Sequence, residues 1–266
     1  MMFGAGCRGV DMKAVVIGAG PAGLAAAACL QGAGAEVAIY EQASTVGSAW
    51  RGHYDCLALH TAKGRSVLPG LDFPASVGRY PTRDDVIAYL DRYTVHHKLR
   101  PTFDCAVQRA ERNGAGWRVT HDQGHTDCDV VVVATGLNAA PLTPDWDGTF
   151  DGAISHASDY RNPSPFVGKR VLVVGFGNSG GDIALDLANA DVDVSLSVRG
   201  PVNILPKQLL GVPITSFGLL SKLLGYKVAD ALTAPILRMV VGRPEDYGLQ
   251  STGKGPGARV IEDGRV

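Results

Sequence analysis

Two sets of three glycines have the residue type and spacing for chemistry. Gly18, Gly20 and Gly23 stand as G-x-G-x-x-G in the run Gly18, Ala19, Gly20, Pro21, Ala22, Gly23. Gly175, Gly177 and Gly180 repeat the spacing in the run Gly175, Phe176, Gly177, Asn178, Ser179, Gly180. In such a set the first glycine permits a tight turn and the second lets the backbone approach a pyrophosphate. The third lets the following helix pack closely on the preceding strand. A helix starting on this turn aims unpaired N–H groups and the positive end of its macrodipole at one place, an anion site suited to a dinucleotide's diphosphate. Two such sites in one chain imply electron transfer between cofactors.

The residues that close the second strand of each copy tell the two sites apart. Glu41 suits a hydrogen bond to ribose hydroxyls and would repel a 2′-phosphate, which selects FAD or NAD. Arg199 takes the corresponding place in the second copy, where a guanidinium pairs bidentately with a 2′-phosphate. The alternative for Arg199 is a solvated surface arginine. FAD is therefore expected at the first site, with Gln42 beside Glu41, and NADPH at the second.

These groups need elements to hold them. Ala14–Ile17 is an apolar run of the kind buried on both faces of a parallel sheet, Ala22–Leu30 reads as a helix and Val37–Tyr40 as the second strand. The second copy repeats this with a helix over Asp182–Asn189 and a strand over Val192–Val198. Asp127–Thr135 is expected as one further buried strand, ending near the first glycine turn and bringing Thr135 and Gly136 to the cofactor. Cys105–Arg112 and Trp117–His121 read as antiparallel strands joined at Asn113 and Gly114, a favoured hairpin turn. Thr82 and Asp85 form a capping box for a helix to about Lys98, with Val86, Ile87, Leu90 and Tyr93 on one face. Between Gln42 and Gly70 the chain lacks periodicity, and the loop holding Trp50, His53, Tyr54 and His60 is expected over the flavin ring. For both histidines a surface or satisfied role is the alternative.

The fold class is thus α/β: two Rossmann-like dinucleotide-binding domains in three layers, with a small antiparallel β meander in the first. Residues 1–150 are expected to form the FAD-binding domain and residues 151–266 the NADPH-binding domain, incomplete at its C-terminal end. Pro141 to Pro165, rich in Pro, Asp and Gly, reads as the crossing between them.

Of 266 residues, 45% are hydrophobic and 19% charged, with a formal net charge of −1. That is a globular composition with no electrostatic case for nucleic acid or an anionic membrane surface. The 5 cysteines show no C-x-x-C spacing, which argues for reduced thiols in a cytoplasm and against a disulfide scaffold, zinc ribbon or dithiol centre. No metal-ligand or Ser-His-Asp constellation has convincing spacing. Residues 1–12 lack a signal-peptide core and read as a ragged extension with Met12 as the natural start. Leu209 to Val241 is strongly apolar, but Lys222, Lys227, Asp230 and Arg238 interrupt it before membrane-span length. A packed helical segment is expected there, with a monotopic membrane contact as the alternative.

From Met12 onward the chain resembles the class B flavin-containing monooxygenases, and within them the plant YUCCA type and its bacterial relatives. The first glycine set is similar to that family's FAD site and the second to its NADPH site. Phe150, Gly152, His156 and Tyr160 match the family's pattern F-x-G-x-x-x-H-x-x-x-Y, in which Tyr160 points away from Baeyer–Villiger relatives. Ala134, Thr135 and Gly136 match a linker signature, and Gly47–Lys63 is similar to the YUCCA segment near the flavin. The resemblance implies an NADPH- and O2-dependent monooxygenase that forms a C4a-hydroperoxyflavin. Its substrate would be a small nitrogen or sulfur nucleophile or a 2-oxo acid such as indole-3-pyruvate.

His156 and Tyr160 carry a structural role in that resemblance. Where many members place an active-site Asn, this chain has His60, its candidate catalytic residue. Members run well beyond Val266, so a catalytically impaired nucleotide-binding fragment is the rival reading. A flavin-dependent pyridine-nucleotide reductase is a further one, disfavoured by the missing C-x-x-C. The expected partners are a small substrate and O2, with a homodimer left open.

Overall fold

The structure, a computed structural model, describes residues 12–137, 140–202, 204–209, 211–216 and 224–253. The expected N-terminal extension and Cys7 lie outside them, as does part of the Leu209 to Val241 segment. The chain divides into two compact units, Met1–Ala58 with Lys63–Arg161 and Leu59–Ala62 with Asn162–Val266.

The first unit opens with β1 (Lys13–Ile17), α1 (Pro21–Gly32) and β2 (Glu36–Tyr40), followed by the short helix α2 (Ser48–Arg51) and α3 (Arg83–His96). Then come β3 (Pro101–Thr102), β4 (Val107–Asn113), β5 (Gly116–His121), β6 (Gly124–Cys128) and β7 (Val130–Val133). The parallel sheet has the order β3-β2-β1-β7, with Val15 of β1 between Ala38 and Val131. Ala14, Val15 and Val16 are buried, as a central strand flanked on both sides requires. Each of the two valines contributes about 1.5–3 kcal/mol of burial. The expected helix and strands of this βαβ unit are present, extended by a residue or two.

The antiparallel β4-β5-β6 meander is present and packs Val119 and Cys128 against Val15. Gly114, at the expected turn, has φ +62°, the left-handed conformation glycine adopts without strain. The expectation of one strand over Asp127–Thr135 is corrected. Asp127 and Cys128 end β6 of the meander, and Val130–Val133 forms β7 of the parallel sheet. Asp129 makes the switch: its N–H donates to the Lys13 carbonyl at 2.9 Å and its carboxylate accepts from Lys13 N at 2.8 Å. The run is also less buried than expected, since Val133 is exposed.

Helix α3 starts as its capping box directs. Thr82 Oγ1 accepts from Asp85 N at 3.2 Å and Asp85 Oδ2 accepts from Thr82 N at 3.0 Å. Val86, Leu90 and Tyr93 are buried with Tyr89, whereas Ile87 is half-buried. Phe73 stacks on Tyr89 with ring centroids 4.0 Å apart, tying the preceding loop to the helix.

The second unit is built on β8 (Arg170–Val174), α4 (Asn178–Asn189) and β9 (Asp193–Ser197), with β8 and β9 parallel. Helix α4 buries Ile183 and Leu187, while Leu172 and Val174 of β8 remain exposed. Two short strands, β10 (Gln208–Leu209) and β11 (Val212–Pro213), pair antiparallel before α5 (Tyr226–Val241). The packed segment expected here is corrected. Helix α5 buries Ala229 but exposes Val228, Leu232, Ile236 and Met239, because their helical spacing sets them on one outward side. No described helix is long and apolar enough to cross a membrane.

Candidate functional site

The first glycine of each turn is held in the same way. Gly18 has φ +105° and donates its N–H to the Tyr40 carbonyl at 2.7 Å. Gly175 has φ +101° and donates to the Ser197 carbonyl at 2.9 Å. Each therefore leaves its first strand through a conformation that a side chain would strain, and is tied to the end of its second strand. The third glycines are sterically obligatory. A Cβ on Gly23 would lie 1.9 Å from the Gly18 carbonyl oxygen, and one on Gly180 would lie 2.2 Å from that of Gly175.

The middle glycines behave oppositely. A Cβ on Gly20 or on Gly177 would meet no heavy atom within 4 Å among the described residues. Both cap their helices in extended backbone, φ −81° and −86°, with no side-chain cap on the N–H groups of the first turn. The bare space thus lies beside helix N–H groups carrying the positive end of a dipole, a cradle that fits a diphosphate. Ala19, Pro21 and Ala22 complete the first turn, and Phe176, Asn178 and Ser179 the second.

Glu41 follows β2 and is buried. Its Oε2 accepts from the Ala19 N–H at 2.7 Å and its Oε1 from the Ala43 N–H at 2.9 Å, so backbone donors offset the cost of burying the charge. Oε2 keeps acceptor capacity for a hydroxyl. Gln42 beside it is exposed. Ala134 closes the other side: its N–H donates to the Ile17 carbonyl at 2.9 Å, and its oxygen would lie 2.6 Å from a Cβ on Gly18. The structure therefore brings Ala134, with the exposed Thr135 and Gly136 after it, to the first turn together with Glu41. At the second turn the expected correspondence of Arg199 with Glu41 is corrected by one position: Val198 stands where the first turn has its buried acid, and the exposed Arg199, two residues past the end of β9, matches Gln42.

Trp50 and His53 meet edge to face at 5.7 Å, and Tyr54 lies 6.1 Å beyond His53. Burial lowers the His53 pKa, and the Arg161 and Arg83 charges lower it further, so this ring is neutral near pH 7. His60 belongs to the second unit, where its Nε2 lies 3.3 Å from Asp182 Oδ2 on α4. His60 and His53, read together from the sequence, thus take separate environments.

His156 caps a short 3-10 turn over Ala157–Asp159. Its Nδ1 accepts from Ser158 N at 3.1 Å, and Asp159 Oδ2 accepts from His156 N at 3.3 Å. Tyr160 is buried with its ring 6.3 Å from that of Tyr54. Phe150 is exposed and would contact a Cβ on Gly152 at 2.4 Å. A buried pair that the sequence did not announce is Cys105 and His121, with Sγ 3.4 Å from Nδ1. The signal available was the register of β4 on β5, which sets Val107 opposite His121.

A family model described as pyridine nucleotide-disulphide oxidoreductase matches residues 15–208. The indole-3-pyruvate monooxygenase YUCCA1 of Oryza sativa subsp. japonica is 38% identical over 252 residues, covering 91% of this chain and 62% of that protein. Among solved structures, the flavin-containing monooxygenase of Stenotrophomonas maltophilia is 31% identical with a TM-score of 0.71, covering 79% of this chain and 64% of that one. A structure of OTEMO in complex with FAD and NADP is 27% identical with a TM-score of 0.57, covering 73% of this chain and 40% of that one. The chain spans about three fifths of the length of the curated relatives it matches.

Proposed function

Because the chain belongs to the pyridine nucleotide-disulphide oxidoreductase family, we propose that its two glycine turns serve an NADPH- and O2-dependent flavin monooxygenase. The observation carrying this reading is the pairing of two uncapped helix N-termini with an open Cβ position at each middle glycine. In this reading residues 1–150 and 151–266 are two Rossmann-like domains of three layers each, for FAD and NADPH. Gly18, Ala19, Gly20, Pro21, Ala22 and Gly23 receive the FAD diphosphate, and Glu41 with Gln42 the adenosine ribose. Trp50, Thr135 and Gly136 flank the same cofactor. Gly175, Phe176, Gly177, Asn178, Ser179 and Gly180 receive NADPH, and Arg199 holds its 2′-phosphate.

FAD, when bound, supplies the redox and oxygen-activating chemistry. The chain's own residues bind, orient and exclude water. Glu41, fixed by its backbone donors, selects ribose hydroxyls over a phosphate. Asp182 orients His60 through Nε2, leaving Nδ1 as the atom His60 offers a substrate. A 2-oxo acid such as indole-3-pyruvate is the proposed substrate, on the strength of what the 38% identical relative is named for, with a nitrogen or sulfur nucleophile as the alternative. A dithiol route is no part of this reading, because the sequence holds no C-x-x-C spacing. Reduced thiols would suit a cytoplasmic setting.

The test is the visible spectrum of the purified protein, followed by NADPH oxidation with and without indole-3-pyruvate. Bound flavin and NADPH-dependent product are expected. A folded protein that takes up no FAD under titration would overturn the reading.

A further inference from the structure

Glu41 and His121 are the buried polar or charged side chains among the described residues, and both sit at the C-terminal end of β2. Only Glu41 has a place in the reading above. Tyr40 and Cys105 join the two. The Tyr40 ring stacks on the His121 imidazole with centroids 4.3 Å apart, and its hydroxyl meets Thr126 Oγ1 at 2.6 Å. Cys105 donates its N–H to the Glu41 carbonyl at 3.0 Å while its Sγ lies 3.4 Å from His121 Nδ1.

The bonding fixes the imidazole's tautomer. The Gln123 N–H, which can only donate, points at Nδ1 from 3.3 Å, so Nδ1 is the bare acceptor. The ring proton is then on Nε2, 3.2 Å from Thr126 Oγ1. His121 is thereby held from β6 and from the turn after β5, and itself holds Tyr40 by its ring and Cys105 by its nitrogen. The backbone of Glu41 lies between Thr102, whose carbonyl accepts its N–H at 2.9 Å, and Cys105. Its carboxylate must reach Ala19, and a charge-assisted bond weakens steeply with misplacement.

We propose that His121 is a positioning residue for Glu41, which through Tyr40 and Cys105 sets the carboxylate against the first glycine turn. The inference rests on the reading of Glu41 as the ribose ligand, and extends it to a residue in the meander that touches no cofactor.

The experiment combines FAD titration with amide exchange at Ala19 in the cofactor-free protein. His121→Phe keeps a ring for Tyr40 to stack on but removes both nitrogens, and His121→Asn returns an acceptor near Nδ1. His121→Phe should weaken FAD binding about tenfold. In a Glu41→Gln background the same substitution should change it less than about twofold, the non-additivity expected of residues acting in series. Ala19 exchange should quicken about tenfold in His121→Phe and be partly restored in His121→Asn. Equal losses in both backgrounds, or unchanged Ala19 exchange, would overturn the proposal. Should His121→Phe fail to fold, Cys105→Ala carries the same expectation with a smaller change. A wild-type protein that binds no flavin defeats the ribose reading of Glu41, while the Ala19 exchange still decides whether His121 positions it.

Discussion

The Glu41 carboxylate accepts the Ala19 N–H at 2.7 Å, joining the end of β2 to the middle of the first glycine turn. Glu41→Ala removes the acceptor for both the Ala19 and Ala43 N–H groups. Each unsatisfied donor costs about 1–3 kcal/mol where it stays buried. Thermal melting of the cofactor-free protein should show this loss, and FAD titration a weakened site. An unchanged melting temperature would mean that the bonds contribute nothing to the fold.

Gly20 and Gly23 should respond oppositely to a side chain. The space at Gly20 is open, so Gly20→Val should leave melting nearly unchanged while flavin content collapses. At Gly23 a Cβ collides with backbone, so Gly23→Ala should destabilise by roughly 1–3 kcal/mol or more. Flavin retained at wild-type levels by a folded Gly20→Val protein would refute the assignment of this turn.

Arg199 is exposed where the second turn's ribose end is proposed, so Arg199→Ala should cost stability little. NADPH affinity should fall by about tenfold to a hundredfold, the worth of a charge-assisted bidentate contact, with NADH affected far less. Titration of both nucleotides decides the matter: equal losses would make Arg199 a general structural residue.

Tyr93 should give the protein an alkaline limit. Burial raises its pKa from 10.0 to about 12, and its hydroxyl donates to the Pro69 carbonyl at 2.7 Å. The folded state holds this proton more tightly than the unfolded chain. The stabilisation is therefore complete below pH 10 and lost as pH rises through about 12. The shift corresponds to about 2–3 kcal/mol. Burial also raises the pKa of Tyr89, adding in the same direction. Denaturant melts across that window should show falling stability in wild type and a shallower fall in Tyr93→Phe. Parallel curves for the two proteins would remove Tyr93 as the cause.

What the sequence disclosed was what short spacing encodes. The glycine sets, the acid closing β2 and the Thr82 and Asp85 capping box depend on neighbours within a few positions, and each stands where its spacing placed it. The boundary between β6 and β7 was not legible, because an apolar run shows burial but not which sheet each residue joins; Asp129 decides that through Lys13, far away in sequence. His60 and Asp182 are likewise brought together by folding alone. On α5 the apolar content was plain, but content says nothing of side, and Met239 and Leu232 face outward.

The matching φ angles, strand-end bonds and helix caps of Gly18 and Gly175 make the two turns one backbone shape used twice, although Ala19 is fully buried where Phe176 is not. In the proposed reading nucleotide preference would then be set beyond the second strand, at Glu41 and Arg199, and a shape shared by both turns would be left the single task of gripping a diphosphate.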